Sequence, residues 1–280
     1  MKKSFILFSF LPFFLVLFFG AANSVAYQLY DLITQESKTL KDSVETLKKN
    51  RIILAGELHS NEEHHRMQLA VIQALHDAGV KVAIGLEMFR YESQEFLDLW
   101  VAGEIAPDDF HRIYYDNWNY PWPAYSMIFN YARENGIAMV GLNIGREITQ
   151  QVAHKGFGAL SEDQKGKLQG VVCIVDEKYM DFIQSAFGDH AHGNLNFNNF
   201  CEAQLVWDNI MAIHALEYLN ANSDTVMVLL TGNGHALKPG IPAQIKNRSD
   251  LPHAVILPET PGYITSENIT IEDADFLISK

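Results

Sequence analysis

The sequence holds two cysteines in 280 residues, and neither stands before position 173. Lipid attachment at a cysteine near the amino terminus is therefore excluded. In an exported chain an even pair, Cys173 and Cys201, is either a disulfide or two buried thiols. Two cysteines so far apart make a poor metal site by themselves. Positive charge is also scarce: 21 Lys and Arg against 34 Asp and Glu give a formal charge of -13. Nucleic-acid binding needs a basic face, so that class is excluded. No glycine-rich phosphate loop and no Gly-x-Gly-x-x-Gly opening a helix is present. Ser60 lacks the Gly-x-Ser-x-Gly elbow of a serine nucleophile. There is no internal repeat, and no low-complexity segment beyond the first 26 residues.

What is present is enough for a full core, with 48% hydrophobic and 20% charged residues. Residues 1–26 read as a targeting leader. Lys2 and Lys3 start it, Phe5 to Phe19 is strongly apolar, and Ser24-Val25-Ala26 fits a small-x-small cleavage site. Cleavage is expected after Ala26, which implies export to the periplasm or cell envelope without a lipid anchor. The rival, an uncleaved membrane anchor, has an apolar run shorter than the ~20 residues a span needs.

Residues 27–280 read as one α/β domain, a mostly parallel sheet flanked by helices, with a small helical insert at about 157–200. Tyr27 to Asn50 is a polar lead-in with a helix near Ser43 to Lys49. Strands are expected at Arg51–Gly56, Lys81–Met88, Gly136–Asn143, Thr225–Leu230 and His253–Leu257, from short apolar, β-rich runs between turn signals. Helices are expected at Asn61–Ala78, Tyr91–Val101, Trp122–Asn135, Arg146–Gly156, Ser161–Leu168, Asp176–Phe187 and Phe200–Leu219, the Ser161 helix opening on a capping serine. Asp108 to Tyr125 is crowded with aromatics and broken by Pro121 and Pro123. It reads either as a loop packed over the sheet or as one wall of an apolar ligand site.

The chemistry gathers at strand ends. Gly56-Glu57-Leu58-His59 follows one strand and Gly232-Asn233-Gly234-His235 follows another, so Gly-x-x-His occurs twice in the same structural setting. Open α/β sheets place ligands at the carboxyl ends of their strands. Glu57, His59, Glu87 and His235 form a candidate catalytic set if those strands are neighbours. His59, His64, His235 and Glu57 form the corresponding candidate divalent-metal set, because imidazole and carboxylate suit such ions or an acid–base pair. A hydrogen-bonded network that merely holds loops is the alternative. A second cluster is Tyr179 with Lys178, His190 and His192, and Lys155 nearby in sequence. A tyrosinate oxygen can ligate ferric haem, and histidine or lysine can hold propionates.

A resemblance rests on residues in one order. Gly56-Glu57-Leu58-His59 with His64-His65 and Gln68 comes first, then Gly85-Leu86-Glu87-Met88-Phe89, Gln94 and Leu97-Asp98. Ala203-Gln204, Trp207-Asp208 and Met211-Ala212 follow, then Gly232-Asn233-Gly234-His235 and Gly240-Ile241-Pro242. Over about residues 45–260 this resembles the ChaN haem-binding family of the Tiki-like group, which is itself similar to erythromycin esterases. The resemblance implies a haem-binding protein of bacterial haem and iron uptake. It implies a homodimer enclosing two stacked haems, a tyrosine on each iron, and a histidine and a lysine of the other subunit on the propionates. Tyr179, with Lys178, His190 and His192, is the set in this sequence that would carry those roles, and an outer-membrane haem receptor is the implied partner. The wider group also contains metal-dependent hydrolases with paired Gly-x-x-His motifs and glutamate, so a metal-dependent hydrolase using Glu57, His59, Glu87 and His235 is the alternative function.

Overall fold

The computed structural model describes residues 26–187 and 195–280. The leader up to Val25, and His190 and His192, lie outside the described residues.

The chain opens with strands β1 (Gln28–Asp31) and β2 (Glu36–Thr39) and helix α1 (Leu40–Leu47). Strand β3 (Ile52–Glu57), helix α2 (Glu62–Asp77) and strand β4 (Val82–Arg90) form the first crossover. Helices α3 (Gln94–Ala102), α4 (Pro107–Asn117) and α5 (Trp122–Asn135) lead to strand β5 (Ala138–Asn143). Helices α6 (Arg146–Lys155), α7 (Glu162–Gly166), α8 (Glu177–Phe187) and the long α9 (Phe197–Ala221) precede strand β6 (Val226–Gly232). Short helices α10 (Asn233–Ala236) and α11 (Ile241–Lys246) and strands β7 (His253–Pro258) and β8 (Phe276–Ser279) complete the chain. Among the described residues no helix is long and apolar enough to cross a membrane.

The eight strands form one sheet in the order β2-β1-β8-β7-β3-β6-β4-β5. From β8 to β5 every pairing is parallel, while β1 runs antiparallel to both β8 and β2. The central strands are buried on both faces, as parallel strands between helical layers must be. Ile53, Ala55, Val228 and Leu230 face a core under α1 to α5. Ile52, Leu54, Met227 and Leu229 face a second core under α6, α9 and α11. Strand periodicity of two thus divides one apolar run between two layers.

Much of the aromatic stretch before Tyr125 is helix: α4 runs to Asn117 and α5 begins at Trp122, and only residues 118–121 between them form a loop. Pro107 sits in the first turn of α4, where a missing N–H costs nothing. Phe110 and Tyr114, four residues apart, are then buried on one face. Strand β1 and the edge strand β2 occupy what reads in the sequence as a polar lead-in, and β8 adds a strand beyond the last one expected. Cys173 and Cys201 are free thiols. Burial pushes the Cys173 thiol up to about 12 and the Cys201 thiol up to about 11.

One glycine fixes the sheet where the site is built. A Cβ on Gly141 of β5 would stand 2.5 Å from the backbone oxygen of Arg90 on β4. The obstacle is main chain, so it cannot swing aside. Gly141→Ala is expected to cost about 1–3 kcal/mol by overpacking, read from the urea midpoint. An unchanged midpoint would contradict this packing of β4 on β5.

Candidate functional site at the carboxyl ends of the strands

The strand order makes β3, β6 and β4 neighbours. Glu57 at the end of β3 is in register with Gly232 of β6, and Leu86 of β4 with Leu230. Both Gly-x-x-His segments and Glu87 therefore leave the sheet at one edge. They line a crevice of about 480 Å³ whose walls include Trp118, Asn143, Arg146, Gln204 and Trp207.

His59 is held from the α2–α5 side. Its Nδ1 lies 2.6 Å from Glu57 Oε1, which also accepts the Tyr125 hydroxyl at 2.7 Å. The second oxygen, Oε2, faces His65 Nε2 at 3.1 Å without the alignment of a hydrogen bond. Trp118 meets the His59 ring edge-on at 5.0 Å and Tyr120 flanks it at 5.2 Å. Burial pushes Glu57 up, but the His59 hydrogen bond and the nearby His59 and His65 rings outweigh it and bring the carboxyl down to about 2. Burial pulls His59 down, yet Glu57 and Glu87 outweigh it and raise the imidazole above its ordinary value.

His235 is held from the α9 side. Its Nδ1 lies 2.7 Å from Asp208 Oδ1, and Asp208 Oδ2 accepts the Tyr179 hydroxyl at 2.6 Å. Against burial, Asp208 and Glu87 raise His235 to about 9. Burial and the Asp208 carboxylate push the Tyr179 hydroxyl well above the usual tyrosine range. Glu87 stands between the histidines. Its Oε2 accepts from the Thr231 hydroxyl at 2.5 Å and the Gly232 amide at 2.7 Å, and its Oε1 is 3.9 Å from His59 Nε2. Gly232 allows this crowding, because a Cβ there would lie 3.2 Å from His59 Nε2.

Glu57, His59, Glu87 and His235 are thus brought together, as the paired motifs imply. His64 is not. It is buried in the first turn of α2, where Nδ1 accepts the Leu58 amide at 2.9 Å and Nε2 meets Asn61 Nδ2 at 2.9 Å. It fastens the β3–α2 loop. Among the described residues no three His, Cys, Asp or Glu side chains are arranged to hold a metal ion, so the metal reading gains no support. The Nδ1 atoms of His59 and His235 face Glu57 and Asp208, and Glu87 Oε2 accepts from Thr231 and Gly232.

Asp208, Tyr125 and Gln204 are parts of the site to which the motifs gave no role. Of the aromatic stretch, Trp118 lines the crevice, beside polar side chains that include Arg90, Asp116 and Asn117. Tyr179 and Lys178 line a different space, a groove of about 1230 Å³ bounded by the 170–178 segment, α11 and residues 271–275. Val172, Ile174 and Ile271 line it and are 57%, 77% and 48% exposed. Lys238 and Arg248 line it too. Lys155 ends α6 and is exposed outside that groove.

Residues 43–245 match the family described as haem-binding uptake, Tiki superfamily, ChaN. The chain belongs to this family. The structure of ChaN of Campylobacter jejuni with cofacially bound haem is 21% identical over 91% of this chain and 96% of that one, with a TM-score of 0.70. The type III effector HopBA1 is 16% identical over 85% of this chain and 91% of its own, with a TM-score of 0.51. A mutant of the erythromycin esterase EreC in its open conformation is 15% identical over 90% and 82%, with a TM-score of 0.50. At these identities the likenesses establish the shared α/β fold. No curated protein matches the sequence.

Proposed function

We propose that the chain is an exported haem-binding protein of haem uptake, carrying haem as cargo in the groove beside α8. The membership of residues 43–245 in the haem-binding uptake family carries this reading. The groove supports it chemically. A porphyrin needs apolar surface for its faces and cations for its propionates. Val172, Ile174 and Ile271 supply the first, and Lys178 the second.

Tyr179 is the iron ligand in this reading, and its ring already lines the groove. To reach iron its hydroxyl must give up Asp208, to which it is bound at 2.6 Å. His190 and His192, beyond the end of α8 in sequence, hold propionates across an interface between two copies. The exposed side chains of Val172 and Ile174 give the second copy an apolar surface to cover. An outer-membrane haem receptor is the partner in uptake.

Haem titration of Tyr179→Phe tests the ligand. The expected result is loss of the high-spin tyrosinate charge-transfer band with the native melting curve retained. A tyrosinate band unchanged in this variant would overturn Tyr179 as ligand and move the assignment to another tyrosine, and haem bound without that band in the native chain would move it to His190 or His192.

A further inference from the structure

Each histidine of the crevice has an indole set against it. Trp118 meets His59 edge-on at 5.0 Å, and Trp207 meets His235 edge-on at 6.0 Å. Both indoles line the cavity and are half-buried. Two acceptors in the same lining lack a donor. Glu87 Oε2 is taken by the Thr231 hydroxyl and the Gly232 amide. Its Oε1 accepts no hydrogen bond from the described residues, and the 3.9 Å to His59 Nε2 is too long for one. Gln204 is 4% exposed, and its Oε1 is buried without a hydrogen-bond partner. Buried polar atoms are almost always paired, and an unpaired one costs stability. This amide therefore points to a hydrogen-bonding group on a bound molecule.

The charges of the lining narrow the class of that molecule. His59 faces Glu57, His235 faces Asp208, and Arg90 is paired with Asp116. Glu87 and the exposed Arg146 remain, one of each sign. An anion would meet the open Glu87 oxygen, and an ammonium would meet two imidazoles and Arg146. Neutral donors suit the site better than either. A hydroxyl also serves the Gln204 amide in either orientation, because it both donates and accepts. A small molecule with several hydroxyls at its rim and apolar C–H faces to lay against indoles is a sugar ring. We propose that the crevice binds a neutral mono- or disaccharide, its ring faces against Trp118 and Trp207 and its hydroxyls on Glu87 Oε1 and the Gln204 amide. The cavity of about 480 Å³ is of the size that small ligands occupy. It is separate from the haem groove, and its occupancy does not depend on haem.

Two of the four tryptophans line the site, so intrinsic fluorescence reads its occupancy. The purified full chain is titrated with glucose, N-acetylglucosamine and maltose. Glucosamine and glucuronate, which carry a positive and a negative charge on the same ring, are run beside them. The expected result is a saturable change with at least one neutral sugar, and binding of both charged rings weaker by about tenfold or more, the worth of one good polar contact. Gln204→Leu nearly keeps the side-chain volume and removes the amide. It is expected to weaken the bound sugar by about tenfold while the melting temperature holds or rises, because no unpaired amide is left buried. A glutamine that served only the fold would show the reverse, a lower melting temperature with native affinity. No response to any of the three neutral sugars overturns the proposal, as does a charged ring that binds as tightly as the best of them. A folded Gln204→Leu chain, checked by circular dichroism, that keeps the native sugar affinity overturns it too.

Discussion

Glu57→Ala is expected to lower stability by about 3–5 kcal/mol, the loss found when one partner of a buried charged pair is removed. Glu57 is 2% exposed and is the acceptor for His59 Nδ1 and the Tyr125 hydroxyl. Alanine leaves two buried donors unpaired and His65 facing a void. Glu57→Gln is expected to be milder, because one oxygen remains to accept. Urea denaturation of both variants against the native chain checks this. A loss below about 1 kcal/mol in Glu57→Ala, the worth of an ordinary surface contact, would show that the carboxylate does not organise the end of β3.

The second large effect is a stability maximum in mildly acidic solution. Glu57 is brought from 4.5 down to about 2, so its contribution is fully present above pH 4.5 and is lost as pH falls toward 2. His235 is raised from 6.5 to about 9, so its contribution is fully present below pH 6.5 and is lost as pH rises through 9. The melting temperature is expected to be highest between these windows and to fall on both sides. His235→Asn should flatten the alkaline side and leave the acid side in place. A native melting temperature that is constant from the His235 window to its upper end would contradict the Asp208–His235 pairing.

Much of the site is legible in the sequence because its parts follow strands. The two Gly-x-x-His segments and Glu87 each stand at the end of an apolar run, and neighbouring parallel strands deliver their ends to one edge. What holds the histidines is not legible in the same way. Asp208 sits on α9, a helix buried on nearly all sides, so no amphipathic pattern marks the face it presents. Its partners His235 and Tyr179 are 27 and 29 residues away, and only packing of α8 and α9 against the sheet brings them together. His64 shows the opposite case. Its position near Glu57 is legible, but its direction is not: the ring turns to the Leu58 amide and leaves the crevice.

The terminal strands fail to announce themselves for a related reason. β2 is Glu36-Ser37-Lys38-Thr39, with no apolar alternation, and it is an edge strand that buries little. β1 is ordered by pairing Gln28 with Ser279 and Asp31 with Phe276, across nearly the whole chain. The helix α4 is hidden by its own composition. Its aromatics suggest a covering loop, and its start is set by Pro107, whose fixed φ suits a first helical turn.

One titration decides whether the chain binds haem. Ferric haem is added stepwise to the purified protein while the Soret region is followed, with an equal run on buffer. The expected result is a shifted Soret band that saturates at a fixed ratio of haem to chain, accompanied by a rise in apparent mass toward a dimer. A spectrum identical to haem in buffer at every ratio would contradict haem carriage, and the weight would then move to the crevice between His59 and His235.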